Sequence, residues 1–433
     1  MHNDSEKFIQ KTCEQVRFRA AHKGIEQELA AHIEDNMEQF IAQGLDEKTA
    51  REKAIKCMGD PIEIGGALNK VHRSQTEWGV ICLSLLLSIF GVGTMFFIGD
   101  VPAGNSSIFA IKQVIYTMIG MGLLVGIYFY DYTRLHRFGI RIFLFGLILT
   151  IMTILFGDKE NGVFFFEVGQ ISFSTVSICS FIFMVSIITE LSKCRGKGIT
   201  AFLRICTLCT IALVSLFINR AFSLGFTMLI VYAVILTVAA GKGHFNAEKK
   251  RGYIYTAIGI CVVSLMIVIL HTIYIYHHKY MDHVVGKYLE GAQWIGRSTF
   301  LNVHGWTYLP ENWADFFLTI IVAHFGWIVG CLVLAALIAL FTIMIFRTVS
   351  IKNTFGFYLS VGMSVSFITS FMFSIVTEVG YVNNLAASLS FVSFGGTNYL
   401  HHIFAIGLFL SIWRRNLIVP KDMYSSLSQG RQL

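Results

Sequence analysis

From Trp78 onward the chain is a series of continuous apolar stretches separated by short polar loops, and this alternation limits its possible folds more than any other feature. A helix needs about 20 apolar residues to cross a ~30 Å hydrocarbon core. Ten stretches reach or nearly reach that length: roughly 78–98, 107–129, 138–157, 171–189, 199–218, 222–240, 253–277, 316–346, 355–377 and 398–413. Inside lipid every backbone N–H and C=O must be satisfied within the protein, so such stretches fold as helices. Composition agrees, with 55% of residues apolar and 14% charged, where soluble proteins carry about 25% charged residues. The expected fold is all-α, a polytopic membrane protein with about ten transmembrane helices. The fifth and sixth stretches are joined by only a few residues and should form a tight antiparallel pair. The eighth is longer than a perpendicular crossing needs, which predicts tilt or a projecting end.

The loops orient this bundle. Loops 130–137, 190–198, 241–252, 347–354 and the stretch 414–421 hold fourteen Lys and Arg, while the alternate loops 99–106, 158–170, 219–221, 278–315 and 378–397 hold five. Basic loops stay in the cytoplasm. Residues 1–76 and the C-terminus are therefore expected inside, and loop 278–315 outside. The net charge of +7 reads as this topology signal. No basic stripe interleaves with exposed aromatics, so nucleic acid is not an expected partner.

Residues 1–76 read as a small cytoplasmic helical module, residues 77–415 as the transmembrane domain, and 416–433 as a cytoplasmic tail. Ile25, Leu29, Ile33, Met37, Phe40 and Ile41 keep helical spacing. Gly44 should end that helix, Asp46 should cap a second, and Gly59-Asp60-Pro61 should end one helix and start another. These first residues are polar, so no cleavable signal peptide is expected. The run from Ile25 to Leu68 resembles the permease-prefix, or HAAS-type, module found ahead of some bacterial membrane proteins. Glu28, His32 and Asp35 can be imagined as a metal site, but a solvated helix face explains them as well.

The longest loop carries the chemistry-bearing residues. It contains Lys279, Asp282, His283, Lys287, Glu290, Arg297, His304, Glu311 and Asp315, and its Trp294, Trp306, Tyr308 and Trp313 suit a headgroup layer. Loops of this length are usually functional. Pro310 suits a first helical turn, and a helix starting there would carry Glu311 and Asp315 on one face. A carboxylate at the threshold of a long apolar helix is costly, which makes Asp315 a functional candidate. The alternative is that both acids merely favour a helix N-terminus. His277, His278 and His283 match no standard zinc spacing. Cys206 and Cys209 form a CxxC inside an apolar run and read as buried small side chains.

The run LPENWADFFLTIIVAHFGWIVG, from Leu309 to Gly330, resembles the LPExxTDFIFAxxxEELGxxG signature of the SEDS family, the RodA/FtsW/SpoVE-type peptidoglycan polymerases. Gly296-Arg297 falls where that family usually has Gly-Lys. Phe391-Val392-Ser393-Phe394-Gly395-Gly396-Thr397 is similar to its PxxSYGGS element, and the ten-span layout matches. Departures accompany the match. The family's Glu-Glu after the motif is Ala323-His324, and its Gln-Pro-Ser-Glu stretch is Ser174-Thr175-Val176-Ser177. Expected prolines are Asn383, Ser388 and Ser390, and a Lys before the motif is Gly305.

The resemblance implies a peptidoglycan glycosyltransferase that polymerises lipid II at the outer face of the bacterial cytoplasmic membrane, in cell-shape, division or sporulation wall synthesis. Asp315 would be the catalytic base. Arg297 would touch the pyrophosphate, its planar fork suiting phosphate oxygens, or else lipid headgroups. Glu311, Gly395 and Gly396 complete the expected substrate-binding set. No protein metal site is expected, and a divalent cation (Mg or Mn) is conceivable at the pyrophosphate. Implied partners are lipid II, a class B penicillin-binding transpeptidase and membrane lipids, with a cytoplasmic regulator for residues 1–76. Two other readings stay open. One is a non-catalytic scaffold or regulator of wall synthesis, suggested by the departures. The other is a lipid-linked precursor transporter, which usually shows broken helices, whereas these spans contain no Pro.

Overall fold

The computed structural model describes residues 3–71, 74–97, 106–160, 163–168, 171–245, 252, 254, 280–304, 316–378 and 389–418. They fall into two compact units, Met1–Thr76 with Trp413–Leu433, and Glu77–Ile412.

The described residues of the first unit form four α-helices, α1 (Asn3–Glu14), α2 (His22–Ala42), α3 (Glu47–Met58) and α4 (Pro61–Val71). Gly44, at φ +92°, follows α2. The Asp46 carboxylate caps α3 by accepting the Thr49 N–H at 3.2 Å, and Gly59 closes it. Apolar residues from α1 and α2, including Cys13, Ile25 and Leu29, form the core. The Arg414 guanidinium lies 5.2 Å from the Phe18 ring. The compact unit that holds this module also takes in Trp413–Leu433, with Ile418 partly buried against its core.

In the second unit, eight of the described helices are long and apolar enough to cross a membrane. Six of them are α5 (Trp78–Phe97), α6 (Ser106–Phe129), α7 (Gly139–Phe156), α8 (Thr175–Ser192), α9 (Gly198–Ile218) and α10 (Phe222–Gly241). Two short helices follow, α11 (Tyr280–Glu290) and α12 (Thr299–His304), then α13 (Phe317–Phe325). The last three are α14 (Trp327–Val349) and α15 (Thr354–Glu378), which complete the eight, and α16 (Gly396–Arg414). The expected span 253–277 lies almost wholly outside the described residues. Helix α8 is the most enclosed, with 83% of its span buried. Its far end is locked by Glu190, paired with Lys193 at 2.8 Å and Arg204 at 2.9 Å.

Two expectations are corrected. The stretch 158–170 is more than a loop: Asp158–Glu160, Val163–Val168 and Ile171–Phe173 form a three-stranded antiparallel sheet, with Asp158 opposite Phe165 and Phe166 opposite Phe173. Ile171–Phe173 is drawn into that ladder, so the fourth span starts at Thr175 and not at 171. The stretch 316–346 is no single tilted helix. It breaks at Gly326 into α13 and α14.

Candidate functional site

Helix α14 alone has 23 residues, about 35 Å at 1.5 Å per residue, enough to cross the hydrocarbon core. The nine-residue α13 precedes this full-length span and folds back beside its first turns, where a Cβ on Gly330 would meet the Val322 and Leu318 side chains. Asp315 and Glu311 lie outside the described residues, as does their expected shared face. What is described is the helix that follows. It begins at Phe317, with Phe316 non-helical at φ −109° and ψ 35°. A continuous helix from Pro310 into the span is thus interrupted before it reaches Phe317.

Phe316 occupies the N-cap and offers no side-chain acceptor. The amides an N-cap side chain normally takes are those of the second and third helical residues, here Leu318 and Thr319. Both donate to Glu378, at the far end of α15: Leu318 N–H to Oε1 at 2.7 Å and Thr319 N–H to Oε2 at 2.9 Å. The Thr319 hydroxyl donates to Oε2 as well, at 2.6 Å. Glu378 is 3% exposed and Thr319 1%, so these bonds are shielded from water. The anion faces the positive end of α13. This bears directly on the sequence alternative in which Asp315 was only a helix-start acid: the acceptor for those amides is Glu378.

The other end of α13 is held by the stretch that carries Arg297. Gly326 has φ +97° and ψ 170°, a conformation nearly exclusive to glycine. A Cβ there would lie 2.5 Å from the Trp294 carbonyl oxygen. Residues 293–298 run beside the break and fill its open backbone groups. Gly296 N–H donates to Phe325 O at 3.1 Å and Ser298 N–H to Ala323 O at 2.7 Å. Trp327 and Ile328 N–H donate to Gln293 O at 3.0 Å and Trp294 O at 3.2 Å. Non-helical backbone at membrane depth is tolerated only when protein satisfies it in this way. Arg297, exposed, is thereby fixed at the C-terminal end of α13, the end that favours a cation.

The glycine element lies elsewhere in the unit. Gly396 opens α16 against the Tyr116 ring, and a Cβ on it would collide with that ring. Gly395 precedes it with no close neighbour of that kind. Gly396 thus lets the start of α16 approach the Tyr116 ring. The fold joins this element to the stretch 174–177, although Ser174 and Thr397 are 223 positions apart. Ser174 N–H donates to Thr397 Oγ1 at 3.1 Å, and Ser177 Oγ donates to Asn398 Oδ1 at 2.8 Å. A hydroxyl–amide network thus stands where the family resemblance expects an acid.

Among the described residues no group of three or more His, Cys, Asp or Glu could hold a metal. His32, Glu28 and Asp35 are exposed on α2, and Cys206 and Cys209 are free thiols. Glu378 was missed. Its only sequence signal is a lone acid closing a 25-residue apolar helix.

Long apolar helices with irregular backbone held at one end define a polytopic helical membrane protein. The chain belongs to the FtsW/RodA/SpoVE family, whose model, described as cell cycle protein, matches residues 75–417. A relative from Idiomarina loihiensis named probable peptidoglycan glycosyltransferase FtsW is 22% identical over 401 residues, covering 84% of this chain and 95% of its own. Two solved structures share the fold at 13% identity. One is a chain of a peptidoglycan synthase complex described as coordinating polymerization and crosslinking, with TM-score 0.63, covering 78% of this chain and 98% of that one. The other is the rod shape determining protein RodA of Thermus thermophilus, with TM-score 0.59, covering 79% and 97%.

Proposed function

We infer that this chain is a peptidoglycan glycosyltransferase that joins lipid II units into glycan strands at the outer face of the bacterial cytoplasmic membrane. Membership in the FtsW/RodA/SpoVE family supports the activity. The residue assignment is supported by the sequence motif around Asp315 and by the filling of the Leu318 and Thr319 amides by Glu378, which supplies the cap of α13 from α15. In this reading the Asp315 carboxylate takes the proton from the attacking sugar hydroxyl. The new glycosidic C–O bond forms as the bond to the pyrophosphate breaks, and the polyprenyl pyrophosphate departs. A positioned base contributes about 10²–10⁴ in rate, roughly 3–5 kcal/mol of barrier. Arg297 contacts the departing phosphates. A divalent cation (Mg or Mn) at the pyrophosphate is part of the same proposal.

The substrate keeps its lipid tail in the bilayer and its sugars at the interface, the layer where the basic-loop asymmetry puts loop 278–315. A penicillin-binding transpeptidase is the proposed partner, supported by the synthase complex that shares the fold. Residues 1–76 are the proposed contact for a cytoplasmic regulator.

A non-catalytic scaffold is the second reading. It is favoured by Ser177 bonding Asn398 and by the fully buried Ala323, both at positions where the resemblance expects acids. Transport gains one feature, the helix break at Gly326. That break lies at the end of a full-length span, however, and residues 293–298 fill its open groups. A midplane substrate site would need them open.

Purified protein supplied with lipid II should make glycan chains, with and without a class B transpeptidase. Asp315→Ala and Asp315→Asn should make none. Polymer from either variant would refute the base, and an Asp315→Asn allele that fully supports wall synthesis in cells would favour the scaffold.

A further inference from the structure

Glu378 sits in an unfavourable place for its charge. It is the last residue of α15, where that helix's own carbonyls present a partial negative charge, and it is 3% exposed. Carboxylates buried at membrane depth are costly and tend to be functional. A Ser, Thr or Asn could accept from the same amides without burying a charge. What the charge adds is strength and geometry. Bonds to an ionised acceptor are about twice as strong as neutral ones, and here three donors at 2.6–2.9 Å converge on one side chain. The two oxygens hold two successive amides, which constrains both the position and the rotation of the first turn. α13 has only nine residues, too few to be stable alone. Its far end is pinned by residues 293–298, and its near end by Glu378.

We propose that Glu378 is a positioning residue. By clamping the first turn of α13 it sets where the chain bearing Asp315, three residues before Leu318, enters the site. The family resemblance expects acids on α13 itself, at the positions of Ala323 and His324, whereas here the acid comes from α15. The role rests on the function proposed above, since it acts through the Asp315 base.

The test uses the full-length protein as wild type, Glu378→Ala and Glu378→Gln. Polymerisation of lipid II is measured over substrate concentration, and amide hydrogen exchange is followed across 313–322 and 354–378. Glu378→Ala should lower kcat about 10²-fold, the scale of an ångström-level misplacement, with KM little changed. Glu378→Gln keeps one carbonyl acceptor and should fall between. Exchange should quicken at residues 317–320 and stay slow along α15. Full kcat in Glu378→Ala overturns the proposal. So does a loss accompanied by fast exchange throughout α15, which reads as unfolding. If the wild type makes no polymer, the function proposed above fails by itself. The exchange arm then decides the clamp: quickened exchange confined to 317–320 upholds it, and unchanged protection overturns it.

Discussion

Glu378, the last residue of α15, and Thr319, in the first turn of α13, share two hydrogen bonds to a single oxygen. The Thr319 amide and hydroxyl both donate to Oε2, at 2.9 Å and 2.6 Å. Thr319→Val keeps the β-branched shape and the amide while deleting the hydroxyl. A hydrogen bond to a charged group is worth about 1.5–3 kcal/mol, so thermal stability in detergent should fall by that order. Polymerisation should fall less than in Glu378→Ala, because both amide bonds remain. A variant that matches wild type in both measurements would remove the hydroxyl from the clamp.

Gly326 should be intolerant of any side chain. Its φ of +97° is strained for other residues, and a Cβ would meet the Trp294 carbonyl oxygen at 2.5 Å. Gly326→Ala should cost at least about 1–3 kcal/mol and loosen residues 293–298, where Arg297 lies. Thermal unfolding, together with exchange at 293–298, checks this. Unchanged protection there would mean that the break is held by something else.

Arg297 offers a kinetic separation. If its fork binds the departing pyrophosphate, Arg297→Ala should lose roughly 10–100-fold in kcat/KM, the equivalent of about 1.5–3 kcal/mol. Arg297→Lys should recover part of that, since a point charge cannot reproduce the fork. Equal kcat/KM for all three proteins, alongside altered affinity for anionic vesicles, would assign Arg297 to lipid headgroups instead.

His136, in the 3₁₀ segment Tyr132–Arg137 between α6 and α7, should give the domain a pH-dependent stability. Burial pushes its pKa from 6.5 down to about 4, the Lys193 charge adds to the fall, and Glu190 partly opposes it. The folded protein holds the ring neutral where the unfolded chain would protonate it. Its contribution is therefore whole above about pH 6.5 and lost as pH falls through about 4. Melting temperature should drop more steeply over that window in wild type than in His136→Gln. Equal slopes would place the dependence elsewhere.

The helices were legible because lipid imposes one rule on every stretch of chain that enters it. Continuous apolar length marked Trp78–Phe97, Gly198–Ile218 and Phe222–Gly241 to within about two residues. The same signal misread 316–346, since Gly326 interrupts a run that stays apolar on both sides. Hydropathy reports burial, whereas the break depends on one φ angle and on the carbonyl of Trp294, 32 positions earlier. The sheet at 158–173 was missed for a related reason: its strands are only three to six residues long, and their pairing is a property of the hairpin.

The candidate site divides along the same line. Sequence alone determined a many-spanning helical protein, the asymmetry of its basic loops, and the motif around Asp315, because these depend on composition and local spacing. Only the tertiary structure decided that Glu378 fills the first-turn amides of α13, that residues 293–298 close the break at Gly326, and that Ser177 meets Asn398. Each of these joins residues between 25 and 221 positions apart. A hydrogen bond of that kind exists only once two distant helices have been brought to one point, and no local pattern in either of them records the other.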